Sequence, residues 1–193
     1  MLALVLEKKS VKLKLLTAML AVVASVALPQ IFHGIGIISS TGPLAGKIFL
    51  PMHIPVIISG FLAGPIVGLA AAILSPIISF AISGMPAINI LGFVMMELAG
   101  YGITAGMLKK ANMPVFIKLL VVQIVGRLLR TLALVSAVYI FGFKAIIVTE
   151  ILNMVTVGLF GIVLQWALIP LFLYRIKGFE KHYGQFATFK KNI

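Results

Sequence analysis

The chain has 193 residues, 62% of them hydrophobic, a mean hydropathy of +1.21, and four acidic residues against 16 lysines and arginines, which excludes a water-soluble domain of ordinary composition. At about 20 apolar residues per span there is room for about six transmembrane helices in one membrane domain, with no soluble catalytic domain beside it. The absence of cysteine excludes disulfides, thiolate metal sites and a cysteine nucleophile, while the net charge of +12 leaves nucleic acid as a partner to be tested by where the charges lie.

In chain order, the basic start MLALVLEKKSVKLK reads as a retained lead-in, not a cleaved signal peptide. The first span is expected over about 13–32. HGIGIISSTGPLAGK then reads as a loop, because its glycines and TGP are turn chemistry. A second span over 48–63 meets Gly64-Pro65 at once, and proline is tolerated in the first turn of a helix, so a third span over 65–82 returns after almost no connection. SGMPAIN separates it from a fourth span over 88–108, KKANMP leads to a fifth over 114–141, and GFK to a sixth over 146–174, with a basic tail over 175–193. The expected fold class is an all-α integral membrane protein of six transmembrane helices.

The basic residues sort by side. Lys8, Lys9, Lys12 and Lys14 precede the first span, Lys109, Lys110 and Lys118 flank the fourth-to-fifth turn, and Arg175, Lys177, Lys181, Lys190 and Lys191 lie in the tail. Only Lys47 and Lys144 fall on the opposite side. The positive-inside rule therefore places both termini in the cytoplasm, the high charge is read as topology, and no nucleic-acid partner is needed.

Arg127 and Arg130 are different, because they sit inside the fifth span. A charge at the bilayer centre costs at least about 2.5 to 3.5 kcal/mol on insertion scales, so such residues need partners or water. Glu97 lies nine residues inside the fourth span, roughly 14 Å from its outer end, and Arg130 lies roughly 17 Å inside the fifth. His53, Asn89, Glu150 and Asn153 are expected nearer the outer surface, whereas Gln123 and Gln165 belong to the inner half. One reading is an ion pair that locks two helices. The other is a wet cavity open to the outside: arginines at i and i+3 share a helix face, a single glutamate cannot neutralise both, and their forks suit a carboxylate. His53, between Pro51 and Pro55, is then expected at the cavity mouth and not in lipid.

Catalytic readings lack support: no HExxH, GxSxG or phosphate-cradling Gly-Lys-Ser/Thr loop occurs, and no acidic pair has metal spacing. No catalytic residue, cofactor or metal is therefore expected. Thr17, Ala21 and Ser25 form a small-residue stripe on the first span, and Gly102 and Gly106 another on the fourth, which lets helices approach closely in lipid. Gly60, Gly64 and Gly68 share the spacing, but the turn at Pro65 keeps them from forming one continuous face.

Three stretches, LPMHIPVIISGFLAGPIVGLAAAILSPIISFAISGMP (50–86), MELAGYGITAG (96–106) and GIVLQWALIP (161–170), resemble in order and spacing the substrate-binding S components of energy-coupling-factor (ECF) vitamin transporters. The resemblance implies a six-helix subunit that captures a water-soluble vitamin or precursor on the extracellular side of a prokaryotic plasma membrane. It also implies a membrane coupling subunit and two ATP-hydrolysing subunits as partners, so ATP chemistry is expected outside this chain. Family members meet the coupling subunit through small residues of the first helix, and the matching positions here are Thr17, Ala21 and Ser25, a departure from the family's alanine pair. Gating loops are implied at His33 to Lys47, Ser83 to Asn89 and Gly142 to Lys144.

The expected substrate-binding set is His53, Asn89, Glu97, Arg127, Arg130 and Asn153. The arginine surplus favours pantothenate, which carries a carboxylate, with pyridoxine and hydroxymethylpyrimidine as neutral rivals. A stand-alone secondary transporter or channel for a small polar solute is the alternative function, against which stands the lack of an evident internal repeat. A membrane enzyme or assembly factor is a third, disfavoured by the missing catalytic constellation.

Overall fold

The computed structural model describes residues 2–38, 40, 49–142 and 158–189. They form six helices and no strand: α1 (Leu2–Ile38), α2 (His53–Ala63), α3 (Pro65–Ser83), α4 (Ile88–Met107), continued by a 3-10 turn (Leu108–Lys110), α5 (Val115–Phe141) and α6 (Gly158–Phe189). All except α2 are long and apolar enough to cross a membrane. The chain is therefore an all-helical, multi-pass membrane protein.

Local sequence chemistry sets the helix ends. Gly64, the only residue between α2 and α3, takes φ 98° and ψ 179°, a conformation in which any side chain would be strained, and its N–H donates to Gly60 O at 2.9 Å. Pro65 then occupies the first position of α3, where its missing N–H has no helical partner to lose. Gly84 and Gly142 close α3 and α5 in the left-handed region at φ 69° and 72°, each returning its N–H to the carbonyl four residues back. Pro114 caps α5 from an extended conformation, as the sequence led us to expect of the residue that opens that span.

Two expected boundaries change. His33–Ile38, read from its glycines as loop, continues α1. A glycine inside a helix costs about 1 kcal/mol relative to alanine, and the C-terminal end of α1 has contacts to offset it. Phe32 stacks on Phe49 with centroids 4.8 Å apart, and Gln30 Nε2 donates to Ser79 Oγ at 3.3 Å and Ser83 Oγ at 2.9 Å on α3. At the other end, α6 does not stop near Tyr174 but runs to Phe189, through most of the segment expected as a tail.

The second span changes most. Its helix has 11 residues, about 16 Å long at 1.5 Å per residue, too short for a hydrocarbon core of about 30 Å. Before it, Leu50 takes φ 47°, Pro51 and Met52 turn, and His53 N–H bonds Leu50 O at 3.1 Å. The helix thus begins well inside the bundle. Pro55 falls in its first turn, where proline is tolerated.

α4 is the centre of the bundle, packed against α2, α3 and α5, while α1 lies on α2 and α3, and α6 on α2 and α5. Glycines allow the closest approaches. A Cβ at Gly68 or at Gly102 would overlap the other's backbone, one at Gly60 would lie 2.6 Å from Gly102 O, and one at Gly100 would lie 2.7 Å from Gly126 Cα. Gly60 and Gly68, which share no continuous helix, therefore meet one residue of α4 from two sides. Val56, Ile57, Leu98, Tyr101, Leu119, Val122 and Ile169 fill the core around them.

The stripe on α1 packs inward. Ala21 is 7% and Ser25 0% exposed, on the side facing α2 and α3, while Thr17 is half-buried with its hydroxyl on Leu13 O at 2.8 Å. Small side chains let α1 approach its own bundle here. Leu16, Leu20, Val23 and Ile31 are among the exposed residues of α1.

Candidate functional site

Glu97, Arg130, His53 and Tyr101 assemble where α2, α4 and α5 meet. Glu97, at the middle of α4 and 1% exposed, lies at the centre. Its Oε2 accepts from Arg130 Nη1 of α5 at 2.7 Å, and its Oε1 accepts from Tyr101 Oη, one turn along α4, at 2.8 Å. The ion pair open in the sequence is thus made by Arg130. Both partners are buried, so each ion replaces the water the other would otherwise need.

His53 begins α2 and is 5% exposed. Its Nε2 is 3.7 Å from Glu97 Oε2, beyond hydrogen-bond length, and its ring centroid is 5.4 Å from that of Tyr101 at 57°. Neither ring nitrogen has a hydrogen-bond partner. The residue faces inward, as expected, but deeper than expected: it shares the level of Glu97, because α2 starts inside the bundle instead of at its surface.

Arg127 lies one turn from Arg130 and is half-buried. Its guanidinium reaches the start of α6, where a Cβ on Gly158 would stand 2.9 Å from Nη2 and 3.7 Å from Leu50 Cδ1. The two arginines of one helix face therefore address different neighbours, Arg130 the carboxylate of α4 and Arg127 the first residues of α6.

Asn89 is not part of this group. It is the second residue of α4, exposed, and about 12 Å up the axis from Glu97. Asn153 lies outside the described residues, as do Glu150, Lys47, Lys144 and most of two of the three implied gating loops. Among the described residues no three His, Asp or Glu side chains gather as metal ligands would.

Tyr101 is the functional residue that the sequence reading passed over. A tyrosine in mid-span reads as core, yet the spacing Glu97-x-x-x-Tyr101 places the two side chains on one face, which is the signal that could have found it. Its ring lies over Gly126 of α5, where any Cβ would overlap Cδ1 and Cε1 and stand 2.8 Å from Glu97 O.

A second polar group lies between α5 and α6. Trp166 Nε1 donates to Gln123 Oε1 at 2.7 Å and Gln123 Nε2 to Gln165 Oε1 at 3.0 Å. This group ties α6 to α5. Lys109 Nζ donates to Leu62 O, and Lys118 Nζ donates to Lys109 O at 3.5 Å, closing the same end of the bundle.

The model of a protein family described as ECF transporter, substrate-specific component, matches residues 8–179. No curated protein and no solved structure matches the chain. With the match spanning all six helices, the chain belongs to the family of ECF transporter substrate-specific components, whose role is to bind substrate.

Proposed function

We propose that this subunit captures a water-soluble vitamin bearing a carboxylate, with pantothenate the best fit, at the junction of α2, α4 and α5, from the extracellular side of a prokaryotic plasma membrane. The observation that carries this reading is His53: both nitrogens of a 5% exposed imidazole lack a hydrogen bond, 3.7 Å from the carboxylate that Arg130 holds. A buried polar atom without a hydrogen bond costs about 1 to 3 kcal/mol, and a ligand hydroxyl or amide removes that cost on binding. Arg127 and Arg130 add the positive potential that favours a carboxylate in the same region.

In this reading both termini are cytoplasmic, because Lys109, Lys110 and Lys118 share the side of the basic N-terminus. The ligand enters from the opposite side, past the segments that join α1 to α2 and α5 to α6. ATP hydrolysis belongs to two partner subunits, joined to this one through a membrane coupling subunit. Asn89 and Asn153 are the remaining members of the proposed binding set.

A neutral ligand, pyridoxine or hydroxymethylpyrimidine, is favoured by one specific observation: Arg130 already donates to Glu97, and the ring nitrogens of His53 without a hydrogen bond suit the hydroxyl and ring-nitrogen groups of such a ligand. Calorimetric titration of the purified protein with pantothenate, pyridoxine and hydroxymethylpyrimidine separates the two. Pantothenate binding tighter than about 1 μM, or −8.2 kcal/mol, supports the carboxylate reading. Binding of only a neutral compound replaces it, and binding of none defeats both. Uptake by liposomes that contain this chain alone would favour a stand-alone transporter instead.

A further inference from the structure

Glu97 and His53 are a carboxylate and an imidazole buried side by side, within ion-pair distance yet without a hydrogen bond. Oε2 stops 3.7 Å from Nε2, less than 1 Å short of an ordinary hydrogen bond. Left to itself, a buried carboxylate rotates to take any donor in reach, because an unsatisfied charged oxygen costs more than a neutral one. Here it has no freedom to do so. Arg130 holds Oε2 at 2.7 Å from α5, and Tyr101 holds Oε1 at 2.8 Å from within α4. Two donors at opposite oxygens fix the plane of the carboxylate.

Tyr101 is itself fixed. It is 1% exposed, its ring covers Gly126 where no side chain fits, and its other side meets the imidazole of His53. α4 and α5 approach closely here, since a Cβ on Gly100 would stand 2.7 Å from Gly126 Cα. The phenol therefore cannot swing away without parting two helices.

We infer that Tyr101 is a positioning residue: its hydroxyl holds the Glu97 carboxylate away from His53 and so keeps both imidazole nitrogens available to the ligand. The inference rests on the reading that His53 meets the ligand. Glu97 in this arrangement is a counter-ion to Arg130 and not a ligand group. Loss of the hydroxyl alone would leave Oε1 without a donor, let the carboxylate turn onto His53 Nε2, and satisfy the imidazole from inside the protein.

Tyr101→Phe removes the hydroxyl and keeps the ring on Gly126, which separates positioning from packing. In the ligand-free protein, labelled with ¹⁵N-histidine and assigned through His53→Gln, the His53 ring resonances are expected to move in Tyr101→Phe, and the same substitution is expected to leave them in place in a Glu97→Gln background. In titrations with pantothenate, pyridoxine and hydroxymethylpyrimidine, whichever binds the wild type should bind Tyr101→Phe about ten- to a hundredfold more weakly, the loss of one hydrogen bond to a charged group. That penalty should fall below about threefold in the Glu97→Gln background, where no carboxylate remains to capture His53. Unchanged His53 resonances in Tyr101→Phe overturn the inference, as does a Tyr101→Phe penalty of the same size with and without the carboxylate. If none of the three compounds binds the wild type, the substrate reading fails, and the ligand-free spectra alone decide the role of Tyr101.

Discussion

Arg130→Ala removes the cation that faces Glu97 and leaves the carboxylate 1% exposed in the bundle centre. At the observed 2.7 Å, two unit charges in an effective dielectric of about 20 attract by roughly 6 kcal/mol. Desolvation of both ions offsets part of that gain, and breaking a buried pair from one side costs about 3 to 5 kcal/mol in proteins where it has been measured. Tyr101 retains its bond to Oε1 in the variant and keeps the loss at the lower end of that range. Arg130→Ala should thus lower unfolding free energy in mixed micelles by about 3 kcal/mol. Replacing the pair together, as Glu97→Gln with Arg130→Met, removes both buried charges and should return stability to within about 1 kcal/mol of wild type, since apolar or neutral substitutes for a buried pair are commonly tolerated. Equilibrium unfolding of the three proteins in one detergent measures both numbers. An Arg130→Ala protein within about 1 kcal/mol of wild type would refute the argument, because Glu97 would then have another counter-charge or water around it.

The remaining expectations follow from contacts elsewhere. Gly68→Ala and Gly102→Ala should each prevent recovery of monodisperse protein, because either Cβ overlaps the backbone of the facing helix, whereas Gly92→Ala, with open space at its Cβ, should express and melt like wild type. Trp166→Phe loses the 2.7 Å bond to Gln123 Oε1 and should cost about 0.6 kcal/mol in micelle unfolding, the average for side-chain hydrogen bonds in membrane bundles. Ala21→Leu should lower the melting temperature of the isolated subunit, since Ala21 is buried against the bundle; Leu20→Ala, on the exposed face of α1, should leave it unchanged. Loss of copurifying partner subunits in Leu20→Ala but not in a foldable Ala21 variant would place the partner contact on that exposed face.

Much of this was legible in the sequence because lipid imposes strong rules. Every spanning segment needs a long apolar run, so helix count and connections could be read from composition and from Gly64-Pro65, Gly84 and Gly142. The mid-span charges announced their own importance, and depth arithmetic brought Glu97 and Arg130 to one level before their bond was seen. Other features escaped for physical reasons. GIGII looked like a turn because local propensity favours loops at glycine, while tertiary contacts of Gln30 and Phe32 hold it helical. The depth of His53 depended on where α2 begins, which Leu50 and Pro51 set through a backbone turn that periodicity does not encode. Tyr101 was hidden by its residue type, since an aromatic in mid-span packs in the core far more often than it holds a carboxylate.

The central claim, that the imidazole of His53 beside Glu97 and Arg130 meets the captured vitamin, is tested most directly by calorimetric titration of wild type and His53→Phe with pantothenate under identical conditions. The account expects wild-type binding tighter than about 1 μM and at least tenfold weaker binding by a folded His53→Phe protein, a difference of about 1.4 kcal/mol or more. Equal affinities for the two proteins would contradict it.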